Sequence, residues 1–271
     1  MNSSSSNLRA PRATILIPAY NEARVIGRTL KHLTKGMERG EFEIIVIANA
    51  CHDQTVEMAK TAVPWITVLD TAKPGKTNAL RLGLGAATAP VKVFLDADLS
   101  VNIEAIRCLI APLETGAALA SHGRMAVNLE GCSRFVRAFY RIWGLNPYLQ
   151  NGKFGGLFAI SHLGMARIPA LPDVTADDEF ISRQFRSHEK AFQKEVCFEA
   201  CAPRTLKDLF HIRRRSLRGT REVEAMGYYC DRPRGASSGK LILKHIAARP
   251  TLWPAGCVYV SMMIAVRLWL A

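Results

Sequence analysis

The sequence predicts an α/β fold in which a mostly parallel sheet is flanked by helices. Two observations support this prediction. Across the first half of the chain, short apolar runs alternate with segments whose apolar residues recur at helical spacing. One of these runs, "FEIIVIAN", is continuously apolar, as expected for a strand that is covered on both faces. Strands that alternate with helices form βαβ units, in which the strands are parallel.

The elements follow one another from residue 13. The run "ATILIP" predicts a first strand that breaks at Pro18, and "EARVIGRTLKHLTKG" predicts a helix that stops at Gly36. "FEIIVIAN" is the second strand, and "DQTVEMAKTA" is a helix with Asp53 as its candidate N-cap. "WITVLD", "KTNALRLGLGAAT" and "VKVFLDAD" then predict a strand, a helix and a fourth strand.

Three loops of this arrangement follow the carboxyl ends of strands, which is where parallel α/β sheets bind their ligands. The loops contain residues 19–22, 48–51 and 96–98. We therefore expect the three loops to line one crevice.

Two carboxylates end the fourth strand. Asp96 and Asp98 are separated by one small residue in "VFLDADLS", and residues two apart in an extended segment point to the same side. Neighbouring carboxylates repel each other and are costly to bury without a cation. Hard oxygen ligands at such a place suit Mg²⁺ or Mn²⁺, which share their coordination with waters and substrate phosphates. The alternative is a solvated turn, in which aspartate is common.

The chain is basic, with a formal net charge of +13. Such a charge suits anionic partners, namely nucleic acid, anionic lipid or phosphorylated small molecules. The sequence has no recognised nucleic-acid-binding module and no interleaving of aromatic and basic residues, so we do not expect nucleic acid as a partner. The seven cysteines are scattered, and the N-terminus carries no secretory signal, so we expect reduced thiols in the cytosol.

Seven segments, taken in order, resemble motifs of the family 2 glycosyltransferases, which are inverting enzymes with the GT-A fold, a Rossmann-like α/β fold. The resemblance covers the chain from about Ala13 to Gly219. "ILIPAYNEARVIGRTLKHL" looks like the opening P-x-Y-N-E strand and helix, "VIANACHDQT" like the second-strand loop, and "KPGKTNALRLGL" like the lysine and asparagine segment. "VFLDADLS" resembles the D-x-D motif, "GGLFAISH" the glycine-led acceptor segment and "VTADDEF" the base motif. "HIRRRSLRG" stands where many members have Q-x-x-R-W.

The resemblance implies a nucleoside-diphosphate sugar as the donor and a divalent metal, Mn²⁺ or Mg²⁺, as the cofactor. It assigns Asp98 mainly to the metal, with Asp96 on the metal, a metal-bound water or the ribose. The residues that it places near the nucleotide are Pro18, Ala19, Tyr20, Glu22, Asn49, Lys76 and Asn78. Glu22 has the alternative of a helix-start residue favoured by the helix dipole, and Lys76 that of a solvated lysine.

The second-strand loop departs from the family pattern. Where the family often begins this loop with two aspartates, the chain has Ala48 and Asn49. The Ala48 side chain cannot contact a base, whereas Asn49 can both donate and accept hydrogen bonds. UDP is therefore the expected nucleotide by family default, and GDP and TDP stay open.

On the acceptor side, the resemblance implies a general base that removes a proton from the acceptor hydroxyl. The residues that it implicates are Asp178 as the base, Asp177 as its neighbour, and Gly155, Gly156, Arg215 and Arg218 as substrate-binding residues. The alternatives are an acidic first turn of a helix for the aspartates and a solvated basic face for the arginines. Because the glutamine and tryptophan of Q-x-x-R-W are absent, processive synthesis of a long polymer is not expected.

The C-terminal segment is apolar. Residues 252–266 carry no charge, and Trp253 and Trp269 are placed like interfacial anchors. From Arg232 to Arg249 there are five basic residues and no acid, which keeps the catalytic part in the cytoplasm by the positive-inside rule. We expect residues 252–271 to associate with the cytoplasmic face of the cell membrane, either spanning it once or dipping into its anionic inner leaflet. The alternatives are a buried core helix and an interfacial helix.

These patterns divide the chain into a disordered N-terminus, a nucleotide-sugar-binding half, an acceptor-binding half of the same GT-A domain, and a basic linker with an apolar helix. The corresponding ranges are 1–12, 13–121, 122–230 and 231–271. The expected function is inverting transfer of a sugar from a nucleoside-diphosphate sugar to an acceptor hydroxyl, on a sugar, a lipid-linked molecule or a cell-surface glycan precursor. The alternative is a non-catalytic membrane-bound relative that binds nucleotide or scaffolds other enzymes. A nucleotidyltransferase would need a glycine-rich basic loop after the first strand, and "PAYNE" is not such a loop.

Overall fold

A computed structural model of the chain describes residues 10–146, 154–168, 170–228 and 238–270. Most of the N-terminus expected to be disordered lies outside these residues. Its last three residues are within them, and Arg12 is held by ion pairs to Glu41 and Glu114.

The described residues form one mixed sheet of seven strands in the order β3-β2-β1-β4-β6-β5-β7. The strands are β1 Ala13–Ala19, β2 Phe42–Asn49, β3 Thr67–Thr71, β4 Val91–Leu95, β5 Ala120–Asn128, β6 Leu157–Ile160 and β7 Lys190–Cys201. The first four are parallel, β6 runs antiparallel to both β4 and β5, and β7 is parallel to β5. The predicted fold class is confirmed, and β5 continues across the predicted boundary between the two halves, so both share the sheet.

Helices cover both faces of the sheet. They are α1 Ile26–Thr34, α2 Thr55–Ala62, α3 Lys76–Ala86, α4 Ile103–Glu114, α5 Arg134–Trp143, α6 His162–Arg167, α7 Asp177–Ser182, α8 Leu206–Ala225, α9 Ser238–Ala247 and α10 Trp253–Trp269. The alternation of side chains along β1 shows the two layers, because Ile15 and Ile17 pack in the cluster that contains α1 and α4, whereas Leu16 packs in the cluster that contains α3 and α7.

Three local predictions are wrong in detail. β1 does not break at Pro18 but continues to Ala19; its ladder with β4 ends at Leu16, before the proline. The first helix begins at Ile26, after a turn at residues 23–25. Asp53 is not the N-cap of α2, which is Gln54, although the Asp53 carboxylate still accepts from the Thr55 backbone N–H at 3.0 Å.

The predicted apolar C-terminal helix is present as α10. Within the described residues, Pro250–Trp269 is one helical segment long and apolar enough to cross a membrane, with a mean hydropathy of 1.4. One face of α10 packs against α5 and α8, where Tyr259 and Met262 join a cluster with the buried Phe139. The opposite face is apolar and exposed, so the alternative of a fully buried core helix does not hold.

Candidate active site

The two motif aspartates lie where the carboxyl end of β4 meets the start of β6. Because β6 is antiparallel to β4, its first residues come to the same sheet edge as the loops of the parallel strands. The Asp96 backbone N–H donates to the Gly156 carbonyl at 2.8 Å. A Cβ atom on Gly156 would lie 2.8 Å from Asp96 Oδ2, so only glycine permits this approach, and Gly155 before it is buried.

Lys76 joins the two predicted motifs that carry carboxylates. Its Nζ lies 2.9 Å from Asp96 Oδ1 and 3.2 Å from Asp177 Oδ2, so a single ammonium group bridges the donor-side and acceptor-side acids. Burial lowers the pKa of Lys76, but the charges of Asp177, Asp96 and Asp178 outweigh it, and the pKa is raised. Lys76 is therefore a cation that two carboxylates hold in place, with 40% of its side chain exposed to solvent.

Negative charge at this edge exceeds positive charge. Burial raises the pKa of Glu22, and the charges of Asp98, Asp53 and Asp96 raise it further. Burial and the charge of Asp96 likewise raise the pKa of Asp98, against the lowering effects of Lys76 and Arg215. The acids in this electrostatic cluster are Glu22, Asp53, Asp96, Asp98, Asp177 and Asp178, and the cations are Lys76 and Arg215. The excess of carboxylates creates an environment that favours a cationic ligand.

Two loops at the sheet edge are tied together by hydrogen bonds. The Glu22 backbone N–H donates to Thr55 Oγ1 at 2.8 Å, and the Ala23 N–H donates to Asp53 Oδ2 at 3.1 Å. Asn21 adopts a left-handed backbone conformation with φ 56°, and its Oδ1 accepts from the His52 N–H at 2.8 Å. Sequence reasoning missed the bridging role of Asp53 and Thr55, because it treated Asp53 only as a cap of its own helix.

The residues predicted to contact the nucleotide take different positions. Ala19 is buried at the end of β1, and Tyr20 follows it with a side chain that is largely exposed. Asn49 is buried at the end of β2, and its Oδ1 has no hydrogen-bond partner among the described residues. Pro18 is half-buried in β1. Asn78 Nδ2 donates to the Lys73 carbonyl at 3.1 Å, so this amide secures the loop before α3.

The acid triplet at the start of α7 is divided among three environments. Asp177 is buried and bridged to Lys76; burial raises its pKa, and Lys76 opposes the rise. Glu179 lies 2.9 Å from the buried Arg183, in an i,i+4 ion pair. Asp178 is half-buried, and its Oδ1 accepts from the Glu179 backbone N–H at 2.8 Å. The triplet thus forms the acidic first turn of a helix that the sequence allowed, and the three acids differ in burial and in the residues they contact.

Helix α8 covers the acceptor side of the cluster. Gly219 permits close contact, because a Cβ atom there would lie 2.9 Å from the Ala176 backbone nitrogen. Arg215 is exposed on α8, and its charge opposes the raised pKa of Asp98. Arg218 is held by Glu222 at 3.0 Å and by Thr175 Oγ1 at 3.5 Å, so the structure places it beside the loop before α7.

The sheet order and the carboxylates after β4 agree with the GT-A fold expected from the sequence. Residues 14–168, more than half of the chain, match the sequence profile of glycosyl transferase family 2. The chain belongs to this family, and the resemblance seen in its motifs is confirmed.

Relatives and solved structures agree with this assignment. The chain is 27% identical to a dolichol-phosphate mannosyltransferase of Pyrococcus furiosus, over 42% of the chain and 33% of that protein. It is 28% identical to an uncharacterised glycosyltransferase of Mycobacterium bovis, over 42% of the chain and 49% of that protein. The matched segment thus spans half or less of these curated relatives.

The fold resembles that of mannosyltransferase PcManGT from Pyrobaculum calidifontis, solved with GDP-Man and Mn²⁺. The TM-score is 0.64 at 19% identity, covering 96% of this chain and 83% of that one. It also resembles glucosyl-3-phosphoglycerate synthase of Mycobacterium tuberculosis, solved with UDP, with a TM-score of 0.59 at 20% identity over 79% and 80% of the two chains. At these identities the likeness establishes the fold.

Proposed function

We propose that this glycosyltransferase moves a sugar from a nucleoside-diphosphate sugar to an acceptor hydroxyl, with inversion at the anomeric carbon. The observation that supports the proposal best is the Lys76 bridge, because it puts the D-x-D carboxylates and the acid triplet in one cluster. A donor and an acceptor held at this cluster would have their reacting atoms between the two sets of acids. Proximity of this kind is a large part of transfer catalysis.

A divalent cation, Mn²⁺ or Mg²⁺, fits the residues at the donor side. Asp98 and Asp96 would hold it, with the excess of carboxylates around them favouring its charge. The described residues contain no group of three His, Cys, Asp or Glu side chains placed to chelate a metal, so the remaining ligands would be water and diphosphate oxygens. The bound cation would stabilise the charge of the departing diphosphate. The PcManGT structure contains Mn²⁺ with a nucleotide sugar.

Asp178 is the proposed general base. The match of the triplet to the family's base motif makes Asp178 the base, with Asp177, which is ion-paired with Lys76, as its neighbour. Asp178 is half-buried beside it, close enough to raise the pKa of Asp177 electrostatically. A carboxylate that is reachable from solvent, in an acidic surrounding, can accept the proton of an acceptor hydroxyl.

UDP is the proposed nucleotide, and Asn49 the residue that recognises its base. The buried Asn49 Oδ1 has no partner among the described residues, which is costly unless a ligand supplies a donor. Uracil offers an N–H that could meet this oxygen. Guanine offers one too, and the related structures contain GDP-Man in one case and UDP in another, so the donor test below includes both.

The exposed face of α10 supports membrane association and hence an acceptor that is a sugar or a lipid-linked molecule at the membrane surface. Trp253, Ile264, Leu268 and Trp269 are all more than half exposed on this helix. Leu243 of the basic helix α9 is also exposed, and Lys240 and Lys244 on that helix suit an anionic cytoplasmic leaflet. Because α5 and α8 cover the other face of α10, we favour a helix that dips into the inner leaflet over one that spans.

The decisive test is a calorimetric screen of UDP-, GDP- and TDP-sugars with and without Mn²⁺ or Mg²⁺, followed by assays of transfer. Donor binding should need the divalent ion. Asp98→Asn should abolish this metal-dependent binding, whereas Asp70→Asn on β3 should leave it unchanged. Binding that needs no divalent ion would refute the metal assignment. Donor binding without any turnover would instead favour the non-catalytic alternative.

A further inference from the structure

Arg213, in the middle of α8, is a half-buried cation that the proposed transfer reaction does not use. Its Nε is inaccessible to solvent and has no hydrogen-bond partner among the described residues. Burial lowers the pKa of Arg213, and the residues that oppose this are two tyrosines, Tyr140 and Tyr259, with no described carboxylate among them. A buried donor without an acceptor is costly in a folded protein, so the unpaired Nε of Arg213 requires an explanation.

The surroundings of Arg213 are suited to a phosphate group. The guanidinium lies over the Trp143 ring, 5.8 Å from its centroid, and interacts electrostatically with the phenols of Tyr140 and Tyr259. The guanidinium group offers a planar pair of N–H donors that matches two phosphate oxygens, and a phenol adds a donor of its own. A phosphate would supply both the missing negative charge and the missing acceptor.

This place is separate from the candidate active site. Residues two apart on a helix point in nearly opposite directions, and the charge of Arg215, two residues after Arg213, acts on Asp98 in the candidate active site. Arg213 faces the junction of α5, α8 and α10, where Tyr140 and Trp143 come from α5 and Tyr259 from α10. The same helix α10 carries the exposed apolar face, so the junction is at the side of the molecule that a membrane surface would approach.

We propose that Arg213, with Tyr140 and Tyr259, forms a phosphate-binding site at the junction of α5, α8 and α10. The phosphate comes either from the headgroup of an anionic lipid or from a free phosphate ion. Binding would neutralise Arg213 and brace α8, the helix whose opposite face covers the acid triplet.

The test uses the full chain in neutral detergent and measures the melting temperature of the wild type, Arg213→Met, Arg213→Lys and the control Arg214→Met. Arg214 is one residue away but stacks on Trp269, with its guanidinium carbon 4.0 Å from the ring centroid. In phosphate-free buffer, Arg213→Met should melt at or above the wild-type temperature, since the substitution removes a buried donor that has no acceptor. Inorganic phosphate, or phosphatidylglycerol vesicles compared with phosphatidylcholine vesicles, should raise the wild-type value by about 2–4 °C.

Arg213→Met should lose this rise, Arg213→Lys should keep part of it and Arg214→Met should keep it whole. A rise with inorganic phosphate indicates a free-ion site, and a rise with phosphatidylglycerol alone indicates a lipid headgroup site. The proposal is overturned if neither ligand gives a rise that depends on Arg213. It is also overturned if Arg213→Met fails to fold or melts well below the wild type without phosphate, because Arg213 would then have a partner within the protein.

Discussion

Charged side chains have different surroundings at the sheet edge and in the helical layer formed by α5, α8 and α10. At the sheet edge, six carboxylates and two cations, Lys76 and Arg215, form one group of interacting charges. In the helical layer, arginines lie against aromatic rings, as Arg213 does on Trp143 and Arg214 on Trp269. The formal charge of +13 therefore conceals an acidic site next to a basic surface.

The two regions suit different kinds of ligand. Excess carboxylates suit a divalent cation and, through it, a diphosphate. Arginines beside aromatic rings and an apolar helix suit anionic headgroups. Helix α8 contributes to both regions, because the charge of Arg215 acts on Asp98 and Arg213 lies over Trp143. The other residues of the two regions are separate, so we expect substitutions away from α8 to change one region without the other.

The largest effect is expected at the acid triplet. Asp178→Asn is nearly isosteric but cannot accept a proton, so it should lower turnover by about 10²-fold or more while donor affinity and membrane binding stay unchanged. The measurement is single-turnover transfer with calorimetric donor binding. Glu179→Gln is the matched control, and because Glu179 pairs with the buried Arg183, we expect it to lower the melting temperature instead. Near-normal turnover of Asp178→Asn would move the role of base to Asp177 or Glu179.

The second effect is a pH dependence of stability that we expect from His122, in the sheet core that both regions share. His122 is buried beside Phe192 and Phe154, and burial lowers its pKa from 6.5 to about 4. The unfolded chain therefore binds more protons between these values, so stability is fully present above pH 6.5 and falls as the pH drops toward 4. The loss is about 3 kcal/mol at most. Urea unfolding of the wild type and His122→Phe from pH 7 to 4 should show that the variant lacks this loss.

The exposed His188 gives the control, because His188→Gln should keep the wild-type pH dependence. If His122→Phe and the wild type lose the same stability on acidification, His122 is not the buried neutral histidine that the fold implies.

A third effect concerns the bridge between the donor-side and acceptor-side acids. Lys76→Met removes the charge that opposes the raised pKa of Asp177, so this pKa should rise further. The acid limb of the pH–rate profile should then move to higher pH, and Lys76→Arg should restore most of the wild-type profile. An unmoved acid limb would show that the bridge does not control the ionisation on which transfer depends.

The sequence predicted the sheet edge better than the helical layer, for a physical reason. Asp96 and Asp98 follow a buried strand, so local pattern alone brings them to the edge. The Lys76 bridge could not be foreseen, because Asp96 and Asp177 belong to distant segments that meet only when β6 and α7 pack. The i,i+4 spacing of Glu179 and Arg183, by contrast, was a signal that could have been used.

The packing of the helical layer could not be predicted, because hydropathy does not identify which neighbours cover a helix. The fifteen uncharged residues of the tail are compatible with a spanning helix, a buried helix and an interfacial one. Only the packing of Tyr259 and Met262 against α5 shows that one face of α10 is covered and the other is open.

The smallest effect belongs to that open face. Leu268 is 73% exposed on α10, so replacing it with serine should leave folding and donor binding unchanged and weaken binding to phosphatidylglycerol vesicles by about fivefold, as expected for one apolar side chain partly buried in lipid. The inward-facing control, Val266→Ser, alters a fully buried residue on the opposite face and should lower the melting temperature instead. Flotation of the two variants separates these roles. Equal vesicle binding by the wild type and Leu268→Ser, with the fold intact, would mean that this face of α10 does not contact the membrane. The assignment of the acidic sheet edge to the donor would then stand, but the assignment of the helical layer to lipid would fail.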